Sequence, residues 1–119
     1  MEFRRPTADE RRLLLELARI AGIDDPEGWL DALRVREMKD GGMGSLELAG
    51  AAQDKARSGL VISKASVQFA DEDGVQVVAT LNADDSGVLF ELDVWKTDFS
   101  PLKRIPTAFQ RGPSGICEG

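Results

Sequence analysis

The sequence predicts an α+β domain, an antiparallel sheet of about five strands packed against an N-terminal helix and one short helix. Three observations lead there. Apolar residues recur at helical spacing in the first third of the chain, and alternate at period two, between short Asp/Gly turns, in the later part. The 119 residues, 42% hydrophobic and 30% charged, are enough for one core without disulfide staples.

Thr7-Ala8-Asp9-Glu10 after Pro6 reads as a capping box, in which hydroxyl and carboxylate each satisfy an orphan N–H. Leu13, Leu14, Leu17, Ile20 and Ala21 then fall on one helical arc, and Gly22 supplies a left-handed cap. Leu15 breaks the pattern, pointing among Arg11, Arg12 and Arg19, and reads as an ordinary exposed leucine. Asp25-Pro26 starts the short helix through Trp29, Leu30 and Leu33.

Leu33 and Val35, then Leu46 and Leu48, alternate with polar residues. Pairing Val35 with Leu48 centres a hairpin turn on Gly41-Gly42, where both residues need positive φ. Residues 50–59 carry no apolar period and are expected to be a mobile connection. A three-stranded meander follows: Val67 and Phe69; Val75, Val77, Ala79 and Leu81; Val88, Phe90, Leu92 and Val94. Facing apolar residues on one side pairs Ala79 with Phe90, Val77 with Leu92 and Val75 with Val94, which requires an even loop around Asp84-Asp85. The preceding turn comes out odd, with Gly74 placed for a bulge. Residues 1–105 are the expected domain; residues 106–119 are expected to be a flexible tail, the Gly-rich end from Gly112 above all.

The absence of His excludes Ser-His-Asp and Cys-His machinery and His-based zinc sites. One cysteine, Cys117, excludes an intrachain disulfide and a CxxC pair, and fits a reducing, cytoplasmic compartment. No signal peptide or membrane span is visible. The formal charge of −6 is uneven: residues 71–98 hold eight acids against Lys96 alone, and the rest of the chain is at +1. Such a field favours a basic protein partner and disfavours nucleic acid and anionic membrane. Arg4, Arg5, Arg11, Arg12 and Arg19 are interleaved with acids and read as an ion-paired helix face. The chain is expected to be a monomer or homodimer.

Asp71-Glu72-Asp73-Gly74 lacks the third ligand of a calcium loop, and the twelfth position from Asp71 is Asn82, so no metal or other cofactor is expected. Gly41-Gly42-Met43-Gly44 lacks phosphate-loop spacing and reads as a turn. Glu91, Asp93 and Trp95 share one strand face, with Asp84 and Asp85 at the far end of the hairpin. These five residues are the candidate surface for a partner. A carboxylate pair beside an indole would also suit glycoside hydrolysis. The alternative function is therefore a small-molecule-binding or hydrolytic domain using Glu91, Asp93 and Asp98, with Trp95 as a platform. No second catalytic group is identifiable, which points away from an enzyme.

Met38 to Leu46, Phe69 to Val77, Leu81-Asn82 and the run Gly87-Val-Leu-Phe-Glu-Leu-Asp-Val-Trp-Lys-Thr-Asp-Phe-Ser-Pro-Leu102 resemble a family of short bacterial proteins catalogued as a domain of unknown function. That resemblance implies a bacterial cytosolic single-domain protein and brings no catalytic residues. The hairpin ending Glu-Leu-Asp-Val-Trp is also similar in style to immunity proteins of bacterial toxin systems, small acidic α+β proteins that neutralise a partner. The function expected is thus a protein-binding module, of the kind that antagonises a basic partner.

Overall fold

A computed structural model describes residues 2–50 and 61–111; the expected mobile connection, apart from Gly50, and Cys117 lie outside the described residues. Helix α1 (Ala8–Ala21) starts at the capping box, with the Glu10 N–H donating to the Thr7 hydroxyl and the Thr7 N–H to the Glu10 carboxylate. It ends at Gly22, whose φ of 80° lets the Ile23 N–H turn back to the Ala18 carbonyl. Helix α2 (Pro26–Ala32) is capped by the Asp25 carboxylate, which accepts from the Gly28 N–H. Leu13, Leu14 and Leu17 of α1 and Leu30 of α2 are buried in the core.

Among the described residues six strands follow: β1 (Arg34–Glu37), β2 (Leu46–Ala49), β3 (Ile62–Ala70), β4 (Gln76–Ala83), β5 (Leu89–Lys96) and β6 (Gln110–Arg111). They form one sheet in the order β1-β2-β5-β4-β3-β6, with every neighbouring pair antiparallel. Helix α1 packs on β3 and β4. The core is closed by Val35, Leu46, Val67, Phe69, Val77, Leu81, Leu92 and Val94. The β1–β2 hairpin has the register its sequence predicts, Val35 opposite Leu48.

The β4–β5 register differs from the expected one. Ala79 pairs with Val94 rather than Phe90, and Leu81 rather than Val77 pairs with Leu92. The reason is the turn. Asp84 accepts from the Ser86 N–H, the Ser86 hydroxyl and the Val88 N–H. This folds Asp85-Ser86-Gly87 into a three-residue loop with Gly87 at φ 89°, an odd loop rather than an even one. It repeats the turn at Asp71–Val75, where Gly74 has φ 82°. A bulge at Phe90 restores parity, since Asn82 pairs with Glu91 but Ala83 with Leu89. Leu92 and Val94 stay inward, while Phe90 is only half-buried and is not part of the core.

The second difference concerns the tail. Beyond residue 105 the chain stays packed: β6 pairs with β3, and the Phe109 ring meets Phe69 edge-on at 5.7 Å. Arg12 donates to the carbonyls of Ile105 (2.7 Å) and Pro106 (2.9 Å). Residues 106–111 thus contact both β3 and α1. Leu15 and Phe109 line one crevice, and Leu15 packs against the core under this returning segment. Four of the five N-terminal arginines are ion-paired, Arg4 with Glu10 and Glu37, Arg11 with Asp31, Arg12 with Asp9 and Arg19 with Glu27, while no ion pair to Arg5 appears among the described residues.

Candidate functional site

Strand β5 has two faces. Leu92, Val94 and Lys96 point inward and are buried; Glu91, Asp93 and Trp95 form the outward row. A lysine at the last inward position must find compensation for its charge. The Lys96 Nζ donates to Asp71 (2.8 Å), Asp73 (2.7 Å) and the Pro101 carbonyl (3.0 Å), which uses all three of its hydrogens. Asp71 also accepts from the Lys103 N–H (2.8 Å) and the Arg104 N–H (3.0 Å). Burial opposes ionisation of both Asp71 and Lys96. At Asp71 the Lys96 bond together with the Lys103, Glu72 and Arg104 N–H groups outweighs it, and at Lys96 the two carboxylates Asp71 and Asp73 together do, so the Asp71 carboxyl lies below and the Lys96 ammonium above its ordinary value.

This ion pair fixes the chain that follows β5. Residues 96–104 are tied to Asp71 at the far end, and the Leu102 N–H donates to the Gly42 carbonyl at 2.9 Å. The Gly-rich tip of the β1–β2 hairpin is thus a seat for this segment. A Cβ on Gly44, which has φ 105°, would lie 3.1 Å from the Leu102 side chain.

From that anchored base the turn projects Phe99. Its N–H bonds the Lys96 carbonyl at 2.8 Å, and Asp98 accepts from the Ser100 N–H and hydroxyl. Phe99 is the non-glycine residue with positive φ among the described residues, at 64°, a conformation that an aromatic side chain seldom adopts. Its ring meets Trp95 at 6.3 Å and 60°, and the two are 67% and 44% exposed. An exposed aromatic pair on a strained but anchored turn is a surface shaped for contact.

The acids beside it are unequal. Asp93, though exposed, loses enough solvation among its neighbours to push its carboxyl above the ordinary range; repulsion from Glu91 and Asp40 adds to this, and a Ser45 hydrogen bond opposes it. Glu91 accepts from the Asn82 amide at 2.9 Å. Asp84 is buried and occupied by its own turn, whereas Asp85 is exposed at the opposite end of the hairpin. Glu91, Asp93 and Trp95 therefore share the outward row of β5; Asp84 borders the same cavity as Glu91, and Asp85 is exposed in the turn.

Sequence reasoning missed Phe99 and the burial of Lys96. The inward parity of Leu92 and Val94 carried the signal for Lys96; nothing in the pattern marked Phe99. The missed partner of Glu91 is Glu47, directly opposite it across β2 and β5. Both line a 690 Å³ cavity with Phe3, Met38, Val88 and Phe90. Glu47 is held by Arg36 at 2.6 Å, so the two carboxylates have separate partners. Asp98, turned to Ser100 and held below the ordinary carboxylate range by those bonds, does not converge with them.

Among the described residues, no group of three or more His, Cys, Asp or Glu side chains could hold a metal ion, and no helix is long and apolar enough to cross a membrane. Comparison with curated proteins and with solved structures gives no match. A family model matches residues 3–106. The matched stretch runs from Phe3 to Pro106, whose carbonyl Arg12 holds, and takes in both helices, β1 to β5 and the anchored aromatic turn. The chain belongs to the family described as Domain of unknown function (DUF6984).

Proposed function

We propose that this chain is a protein-binding module that engages a basic partner through the outward face of β5 and the turn after it. The observation that carries this reading is the exposed Trp95–Phe99 pair, held on a turn anchored by a buried ion pair. A pre-ordered aromatic contact loses little conformational entropy on binding and supplies the apolar centre that interfaces need. Glu91 and Asp93 beside it provide an acidic flank, within a segment that carries a net −7. Acidic flanks chiefly raise association rates and select basic partners. Antagonism of a basic toxin domain in a bacterial cytoplasm is the biological form we favour, on the sequence style of the hairpin and the charge of the segment.

Affinity capture with wild-type and Trp95→Ala protein, followed by kinetics on each captured partner, tests this. The expected result is a basic partner whose dissociation quickens at least about tenfold with Trp95→Ala. Partners that bind both proteins equally would overturn the reading. A small-molecule role has one observation in its favour, the cavity beside Glu47 and Glu91. It predicts ligand-dependent changes at Phe3 and Phe90 rather than at Trp95.

A further inference from the structure

We infer that Trp95 and Asp93 form a receptor for an arginine side chain of the partner, with the guanidinium stacked on the indole and paired to the carboxylate. The inference rests on the basic-partner reading above and names the group that the surface takes. Two residues along a strand place Asp93 and Trp95 on one face, roughly 6–7 Å apart. A planar cation lying on the ring can reach the carboxylate across that gap, and Arg suits both contacts better than Lys because its fork is flat and bidentate.

The same sheet face already contains this arrangement once. The Arg36 guanidinium lies over the Phe3 ring at 4.3 Å from its centre and pairs with Glu47 at 2.6 Å. Glu47 faces Glu91, and Glu91 stands two residues before Asp93. The second ring and carboxylate, Trp95 and Asp93, repeat the chemistry, with no ion pair to Asp93 among the described residues. Lys96, the cation next in sequence, is committed to the inward side by Asp71 and Asp73. A purely apolar occupant would strip water from Asp93 without compensation, whereas a guanidinium supplies the missing charge.

The experiment titrates the full chain with a blocked Gly-Arg-Gly-Arg-Gly peptide, followed by amide and indole NMR signals. Lysine and citrulline versions serve as controls, and Trp29 is the internal reference for Trp95. The expected result is a Trp95 indole shift saturating with the arginine peptide, about threefold or more weaker with lysine and absent with citrulline. Asp93→Asn, with an otherwise unchanged spectrum, weakens the arginine peptide about fivefold. Shifts centred on other acids would overturn the inference and leave the basic-partner reading standing. Silence with every cationic peptide would overturn both. Signals that move with protein concentration alone would assign the receptor to a second copy of the chain and overturn it also.

Discussion

Lys96 and Asp71 meet at 2.8 Å with both side chains wholly shielded from solvent, at the end of a row that is otherwise Leu92 and Val94. The pair joins the last residue of β5 to the first turn of the meander, and through Asp71 to the backbone of Lys103 and Arg104. It therefore holds the base from which Phe99 projects toward Trp95. Burying a charge pair is seldom a net gain over apolar packing, but breaking one is severe. The pair here specifies where the turn sits.

Removing one partner should show that asymmetry. Asp71→Ala is expected to lower stability by about 3 kcal/mol, since it takes from the buried ammonium one of its two carboxylates and from the Lys103 and Arg104 N–H groups their acceptor. Adding Lys96→Met should recover part of the loss and not all of it, because the Lys103 and Arg104 N–H groups stay unpaired. Urea denaturation of the three proteins measures this. A double variant no better than Asp71→Ala would mean that the backbone acceptor role of Asp71 outweighs the ion pair.

The acid limb of stability follows from the same groups. Asp71 and Glu10 are pushed up by burial but pulled further down, by Lys96 and backbone N–H groups in one case and by Arg4 and Thr7 in the other; Lys96 chiefly lowers Asp73. All three are depressed in the folded chain, so the unfolded chain takes up protons first as pH falls. Their contribution is fully present above roughly pH 4–5, the ordinary carboxylate range, and is lost as pH falls through the folded values. Asp93, raised in the folded chain, has the opposite sign and its unfavourable contribution fades on acidification. The urea midpoint should thus decline below about pH 4, and Asp71→Asn should flatten the decline. A midpoint independent of pH down to 2 would contradict these assignments.

Much of the fold was legible. Both helix caps, the Val35–Leu48 register and the odd turn at Gly74 are local events, decided by residues a few positions apart. The β4–β5 register was not, because apolar alternation fixes which face a residue takes and leaves even slips open. The Asp84 turn and the Phe90 bulge settle it. Leu92→Ala should accordingly cost about 2–5 kcal/mol, and Phe90→Ala clearly less. Equal losses in thermal unfolding would restore Phe90 to the core.

Leu15 was misread for a reason that lies far along the chain. A leucine on the polar face of α1 looks exposed only if the C-terminal residues are assumed to be elsewhere, and Phe109 in fact returns to that crevice. Long-range docking of this kind leaves no periodic trace. Ending the chain after Ile105 should therefore destabilise it, and Phe109→Ala alone should cost about 1–3 kcal/mol through lost contact with Phe69. Unchanged melting of both variants would return residues 106–111 to the status of a tail.

The candidate site was legible in part: the row Glu91, Asp93, Trp95 follows from strand parity, whereas Phe99 depends on a turn whose left-handed residue no rule anticipates. That residue gives a sharp test. Replacing Phe99 with Gly removes the unfavourable φ, worth about 1 kcal/mol or more, and gives up the ring contact with Trp95, worth a similar amount. The isolated protein should stay within about 1 kcal/mol of wild type, where a core phenylalanine would lose about 3–5. Trp95→Ala, at an exposed position, should likewise cost about 1 kcal/mol. If the pair serves a partner, both substitutions should weaken the complex mainly by faster dissociation, while Asp85→Asn, remote from the rings, should act only on association and only at low salt. Paired measurements of melting and of dissociation rate separate the cases. A large loss of stability from either aromatic substitution would assign the rings to the fold, and a complex indifferent to both would remove them from the interface.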